Sequence, residues 1–332
     1  MINNYYLKII SFTGYGFAAG LPYILILTTF SVWLREIGTE LSLIGFMSFM
    51  TITYSIKFFW APFIDRFSIP FLNIFGSRRS WIILMQIIII TSLFLISNIN
   101  PLLNLSFFAC IALIISLAGS IQDIAIDAYR IESAELKDQG NLAAGYQFGY
   151  RMAILVGTSL VFIVADNYSW QFAIQVLALI VTVNIVFSVM ISNESKSSEL
   201  KKLDHINTIV EPLKDFFSRF GIKMASILLV IIATYRLSDI VMGPMTGPFY
   251  IDMGYTKTEI GSVVKVVALI ATIFGVFLGG ILIKRIGLYK SLIIGAILVM
   301  VTNLLFSYVA ISQKNLTLLA LIVASDSIAA GI

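Results

Sequence analysis

Long apolar runs broken by short polar stretches organise this chain. Runs of spanning length lie near residues 11–33, 43–63, 81–98, 105–128, 143–165, 170–192, 224–250, 259–283, 290–311 and 316–332. A hydrocarbon core of about 30 Å needs about 20 apolar residues of helix, so the pattern predicts nine full spans and a tenth that stops short. The longest hydrophilic stretch, roughly Ser192 to Lys223, is rich in Ser, Lys, Glu and Asp and contains Pro212. It reads as a linker. The expected fold is an all-α polytopic membrane protein: a six-helix bundle over 1–192, a cytoplasmic linker over 193–223, and an incomplete second bundle of about four helices over 224–332.

Composition narrows the function. With 59% hydrophobic residues, 12% charged residues and a mean hydropathy of +0.95, the chain lies outside the range of soluble globular domains. Cys110 is the only cysteine and falls inside a span, which excludes a disulfide framework and a cysteine-rich metal site. The lone His205 lies in a hydrophilic loop and reads as solvated. No phosphate-binding glycine loop, paired Cys/His site or nucleophile-plus-base arrangement occurs, so the chain is not expected to be an enzyme or to need a cofactor or metal.

A pI near 9.0 would suit nucleic acid, but the basic residues follow membrane sidedness instead. With the N-terminus in the cytoplasm, the inner loops hold Lys8, Arg66, Arg78, Arg79, Arg130, Lys137, Lys196, Lys201, Lys202, Lys214, Arg219, Lys223, Lys284, Arg285 and Lys290. The outer loops hold only Arg35, Lys257 and Lys314, and Lys57, Arg151, Arg236 and Lys265 fall in or at the edge of spans. Such a bias orients the N-terminus inward. The first span is expected to direct insertion itself, without a cleavable signal.

An internal echo supports two halves. After the second span the chain reads Trp60-Ala-Pro-Phe-Ile-Asp65-Arg66, then Gly76-Ser-Arg78-Arg79; after the eighth it reads Gly280-Ile-Leu-Ile-Lys284-Arg285-Ile-Gly287-Leu-Tyr-Lys290. This resembles the G-x-x-x-D-R-x-G-R-R loop of the major facilitator superfamily, with Trp60 or Ala61 in place of a glycine, an insertion before Gly76, and Lys284 in place of Asp. An acid–arginine pair at two helix ends can act as a latch between rocking bundles, since arginine offers carboxylate a planar fork. Asp65, Arg66, Lys284 and Arg285 are therefore the gate candidates.

A closer resemblance rests on several blocks in order: Gly16-Phe-Ala-Ala-Gly20-Leu-Pro22, Trp33-Leu-Arg35, Lys57-Phe-Phe-Trp60-Ala-Pro62, Arg78-Arg79-Ser-Trp81, Gln122-Asp-Ile-Ala-Ile-Asp127-Ala-Tyr-Arg-Ile-Glu132 and Gly145-Tyr-Gln-Phe-Gly-Tyr-Arg151. Together they look like the AmpG-type muropeptide permeases over most of residues 12–175, and more loosely through Gly243-Pro-Met-Thr-Gly-Pro-Phe-Tyr250 to about 290. The acetyl-CoA transporters of intracellular membranes share part of the pattern. The AmpG resemblance implies a multi-pass importer of the bacterial inner membrane, driven by the proton-motive force. It would carry anhydro-muropeptides, cell-wall fragments with a peptide stem, from periplasm to cytoplasm.

Within the fourth span Ser116, Gly119, Ser120, Asp123, Asp127 and Arg130 share one helical stripe. Ionised groups at bilayer depth cost about 2.5 kcal/mol or more, so such residues usually face a cavity and carry transport. Asp123 lies deeper and is the first candidate for proton carrier. Asp127 and Arg130, nearer the cytoplasmic boundary, fit either the coupling site or the gate with Asp65 and Arg66. Arg151, beside Tyr146, Gln147 and Tyr150, suits the carboxylates and sugars of an anionic glycopeptide; neutralising Asp123 or Asp127 would serve it equally well. The series Gly145, Gly149, Ala153, Gly157 reads as close helix packing. In the seventh span Arg236 and Asp239 precede Gly243-Pro244 and Gly247-Pro248, which are expected to interrupt the helix as hinges or binding-site walls. Lys265 is placed toward the cavity.

The expected partners are protons, a small anionic glycopeptide and the lipid bilayer, with a monomer as the unit. Another bulky anionic metabolite is the rival substrate. Because the tenth span ends at Ile332, a non-transporting remnant is a further alternative.

Overall fold

The computed structural model describes residues 4–67, 69, 70, 72–134, 138–190, 205–235 and 237–331, and these are helical almost throughout. Helix α1, Tyr6–Glu36, crosses from what we call the near face to the far face. Helix α2 returns in two limbs, Leu41–Ser55 and Lys57–Asp65, bent by 46° at Ile56. Then follow α3 (Ser77–Ser97), α4 (Leu105–Glu132), α5 (Gln139–Asn167) and α6 (Trp170–Met190).

The first six helices form one packed bundle. Its tightest seam joins α1 to α5, where the glycine series meets the other helix directly. A Cβ on Gly149 would lie 1.8 Å from the Thr13 carbonyl oxygen, and one on Gly16 would lie 1.9 Å from that of Tyr146. Only bare backbone fits there. Toward the far face a ring cluster closes the core, with Trp33 stacked on Trp170 at 5.6 Å and edge-on to Phe108 at 5.4 Å.

The remaining helices are α7 (His205–Tyr235), α8 (Leu237–Asp252), α9 (Lys257–Ile286), α10 (Leu288–Ile311) and α11 (Leu316–Gly331). Two expectations change here. The stretch expected to be a linker is helical from His205, and the helix turns at Gly221, whose φ of 70° favours glycine. Residues 193–204 lie outside the described ones. The seventh span is shared between the end of α7 and α8, and α8 runs unbroken through Pro244 and Pro248. Each proline removes one backbone donor, while packing holds the helix: a Cβ on Gly247 would lie 2.5 Å from Val32 Cγ2.

Six described helices, or seven if the bent α2 is one span, are long and apolar enough to cross a bilayer; Trp170–Ile185 and Leu316–Gly331 are apolar but shorter. Three helices carry a wide π turn: Leu25–Thr29 in α1, Val156–Leu160 in α5 and Ile260–Lys265 in α9. These turns are neighbours. Thr29 Oγ1 donates to the Gly157 carbonyl at 2.6 Å, and a Cβ on Gly261 would meet the Ser159 carbonyl oxygen at 2.9 Å. The principal contacts between the first bundle and the later helices come from this region and from α8 against α1 and α2, all in the far half.

Candidate functional site

Asp123 is the centre of a polar cluster built by three helices. Lys57, the first residue after the α2 bend, places its Nζ 2.6 Å from Asp123 Oδ2 and 3.7 Å from Asp127 Oδ2. From α5 the Tyr146 hydroxyl donates to Asp123 Oδ1 at 2.8 Å. One turn along α4, Arg130 reaches Asp127 at 3.5 Å. The Asp123 side chain is 13% exposed against 39% for Asp127, so the deeper acid is also the better covered one. Tyr54 and Tyr150 lie within electrostatic reach of Asp123, and the Tyr54 hydroxyl is buried without a hydrogen-bond partner among the described residues. Formally Lys57, Arg130, Asp123 and Asp127 sum to zero.

The sequence offered Arg151 either to the carboxylates of the cargo or to the position opposite the acids. In the structure Lys57 holds that position, and Arg151 is half-buried with no ion pair among the described residues. Helical phase explains the difference: Tyr146 and Tyr150 share the face turned to Asp123, while Gln147 and Arg151 lie about 100° further round. Gln147 is exposed.

A cleft of about 820 Å³ opens between α1, α2 and α8. Tyr23, Ser48, Thr51 and Ser55 line one side with hydroxyls, Phe46 and Phe49 add aromatic faces, and Gly243, Pro244 and Met245 form the opposite wall. Tyr23 also packs edge-on to Tyr54 at 5.2 Å, which links the cleft to the acidic cluster. Thus the Gly243–Pro244 step does form a cavity wall, though without breaking its helix.

The two faces are tied differently. At the far face ion pairs join the halves: Arg35 grips Asp252 through Nε at 2.6 Å and its terminal nitrogen at 2.9 Å. Buried Lys257 sits 2.5 Å from Glu36 and 3.8 Å from Asp166, and Glu36 also accepts from the Trp170 indole. Lys314 pairs with Glu259 at 2.8 Å within the second half. At the near face the acid–arginine pairs lie within the first bundle rather than between the two. Asp65 binds Arg78 at 2.6 Å, and Arg78 also holds Glu132 at 2.8 Å, so the ends of α2, α3 and α4 are joined within one bundle.

Of the other gate candidates, the Arg66 side chain lies outside the described residues, and Lys284 and Arg285 are exposed without an ion pair among them. Arg236 and the Asp239 side chain also lie outside them, and Lys265 is half-buried at the end of its π turn with no ion pair among the described residues. Sequence reasoning missed the roles of Lys57, Arg78, Glu132 and the far-face set. A signal existed: Lys57 is a cation inside a span and requires a counter-ion, and all three cations of the expected outer loops prove to be paired.

Two helical bundles meeting at one face around a largely apolar cleft edged with hydroxyls have the architecture of a membrane carrier. The model of the Major Facilitator Superfamily matches residues 10–332. An AmpG 4 protein of Rickettsia conorii is 33% identical over 315 residues, covering 93% of this chain and 75% of that protein. The anhydromuropeptide permease of Escherichia coli is 32% identical over 303 residues, covering 91% of this chain and 60% of its own length. Solved structures agree in fold. The nucleoside transporter NupG superposes with a TM-score of 0.66 at 14% identity, covering 99% of this chain and 80% of that one. A bacterial homologue of the lysosomal transporter Spinster, inward-facing and unoccupied, gives 0.63 at 12%, covering 100% and 74%. The chain belongs to the major facilitator superfamily, among its AmpG-type transporters.

Proposed function

We propose that this chain is a proton-coupled importer that brings anhydro-muropeptides from the periplasm to the cytoplasm across a bacterial inner membrane. The observation that carries the reading is Asp123, a nearly covered carboxylate held by one lysine and one tyrosine beside a cleft of about 820 Å³. A carboxylate so placed can exchange its ion pair for a proton as the cleft changes face. The similarity to the Escherichia coli anhydromuropeptide permease supports the substrate.

The cleft suits that cargo. Sugar rings would stack on Tyr23, Phe46 and Phe49 and find hydroxyl partners on α2. With the N-terminus inside, the far face is periplasmic. Its ion pairs close that side, which leaves release to the cytoplasmic one.

The test is uptake of labelled anhydro-muropeptide by the purified chain in liposomes with an imposed pH gradient, competed with an acyl-nucleotide and a phosphorylated sugar. Accumulation that Asp123→Asn abolishes supports the reading. Unchanged gradient-driven uptake by Asp123→Asn removes the proton role, and preferential uptake of a competitor removes the substrate.

A further inference from the structure

We infer that Lys57 is the exchangeable counter-ion of transport: it holds Asp123 while that acid is charged, and transfers to Asp127 when Asp123 takes a proton. This rests on the proton-coupled reading above and assigns the coupling to a particular pair of partners. Three observations converge on it. Lys57 already spans both acids, at 2.6 Å and 3.7 Å, so the transfer needs a shift of the ammonium rather than a search for a new partner. It stands directly after Ile56, whose φ of −98° and ψ of 12° leave the helical range, at the 46° bend between the limbs of α2. The bend gives Lys57 a pivot that no mid-helix residue has. Its side chain is 36% exposed, so the ammonium is also within reach of water or of an anionic cargo.

Among the described residues, the groups around Asp123 leave Asp127 as the other acid paired with Lys57. Lys57 and Tyr54 face it from α2, Tyr146 and Tyr150 from α5, Asp127 and Arg130 follow on its own helix, and Tyr23 of α1 packs on Tyr54. In the step, hydronium gives a proton to Asp123 Oδ2 and leaves as water, the Lys57 hydrogen bond to that oxygen breaks, and the intact ammonium turns to donate a hydrogen bond to Asp127 Oδ2. Lysine stays protonated throughout. The cluster changes from neutral to one positive charge, and the link between α2 and α4 moves one helical turn toward the near face, pulling on the bend. Tyr146 keeps its bond to Oδ1 in both states, so Asp123 remains positioned.

The experiment uses the full chain in liposomes with labelled anhydro-muropeptide, comparing gradient-driven accumulation with counterflow at equal pH. A difference of one pH unit can drive about tenfold accumulation for one proton per substrate. Lys57→Met should lose that accumulation while keeping counterflow within about threefold, since binding and rocking survive when Asp123 has nothing to exchange. Lys57→Arg should restore part of the accumulation. Should Lys57→Met lose counterflow as well, recovery in Lys57→Met/Asp123→Asn would still support the inference, because neutralising both partners removes the stranded charge. The inference is overturned if Lys57→Met accumulates as well as the wild type, or if the double variant also lacks counterflow, which marks a structural pair. Wild-type counterflow without accumulation would refute proton coupling itself, and this inference with it.

Discussion

Replacing Lys257 by methionine should loosen the far face of the carrier. Among the described residues, the ammonium of Lys257 is the one group there that touches acids on two helices of the first bundle, Glu36 on α1 and Asp166 on α5. Exposed pairs contribute about 0.2–1 kcal/mol, whereas breaking a buried pair costs about 3–5 kcal/mol. Lys257 is 10% exposed, but Glu36 and Asp166 are 35% and 28% exposed. Each acid also keeps another donor, the Trp170 indole for Glu36 and the backbone and hydroxyl of Thr258 for Asp166. The loss therefore falls between the limits, at about 2 kcal/mol, which shifts the closed-to-open balance about 30-fold. Alkylation of Ser48→Cys in a Cys110→Ser background reads the shift, because Ser48 lines the cleft. With an impermeant maleimide applied to the far face, Lys257→Met should raise the labelling rate by about tenfold or more. A rise below about threefold, or an equal rise in Lys314→Met, whose pair is 41% exposed on the lysine side, would refute the reasoning.

Three further outcomes follow from the same geometry. Gly149→Ala should cost about 2–3 kcal/mol in thermal unfolding and withdraw Tyr146 from Asp123, whereas Gly140→Ala, with open space around it, should be neutral or slightly stabilising. Arg78→Lys should lose the fork that serves Asp65 and Glu132 together, lowering stability by about 1–3 kcal/mol; a change under about 0.5 kcal/mol would show that this link adds nothing to the bundle. For sidedness, Asn104→Cys should be labelled by an impermeant reagent from the periplasmic side of intact cells and Lys290→Cys should not, both in the Cys110→Ser background.

Most of the helices were legible because a bilayer demands long apolar runs, and residues 81–98 or 105–128 satisfy that demand without help from neighbours. The helix over 205–220 was legible too, though easily passed over. Ile206, Ile209, Val210, Leu213, Phe216, Phe217 and Phe220 recur at helical spacing inside a stretch whose Ser, Lys and Glu content suggests a linker. Asp123 stood out as a charge in a span, yet its partner did not. Lys57 and Arg151 are both basic residues within spans, and only the rotation of α5 and the bend of α2 decide which one meets the acid. Pro244 and Pro248 show the opposite bias, since proline reads as a break although packing can carry a helix through it.

The three π turns bear on how the chain tolerates length changes. A π turn holds one residue more than an α turn, and it keeps the residues beyond it on their original faces. Removing a residue anywhere else in these spans would rotate the rest of the helix by about 100° and carry pairs such as Arg35–Asp252 out of reach. Within 25–29, 156–160 or 260–265 a single deletion instead yields a regular helix with its faces preserved. Those short windows are thus where spans of this carrier can lose a residue and still fold, at the cost of the wide turns through which its two halves touch.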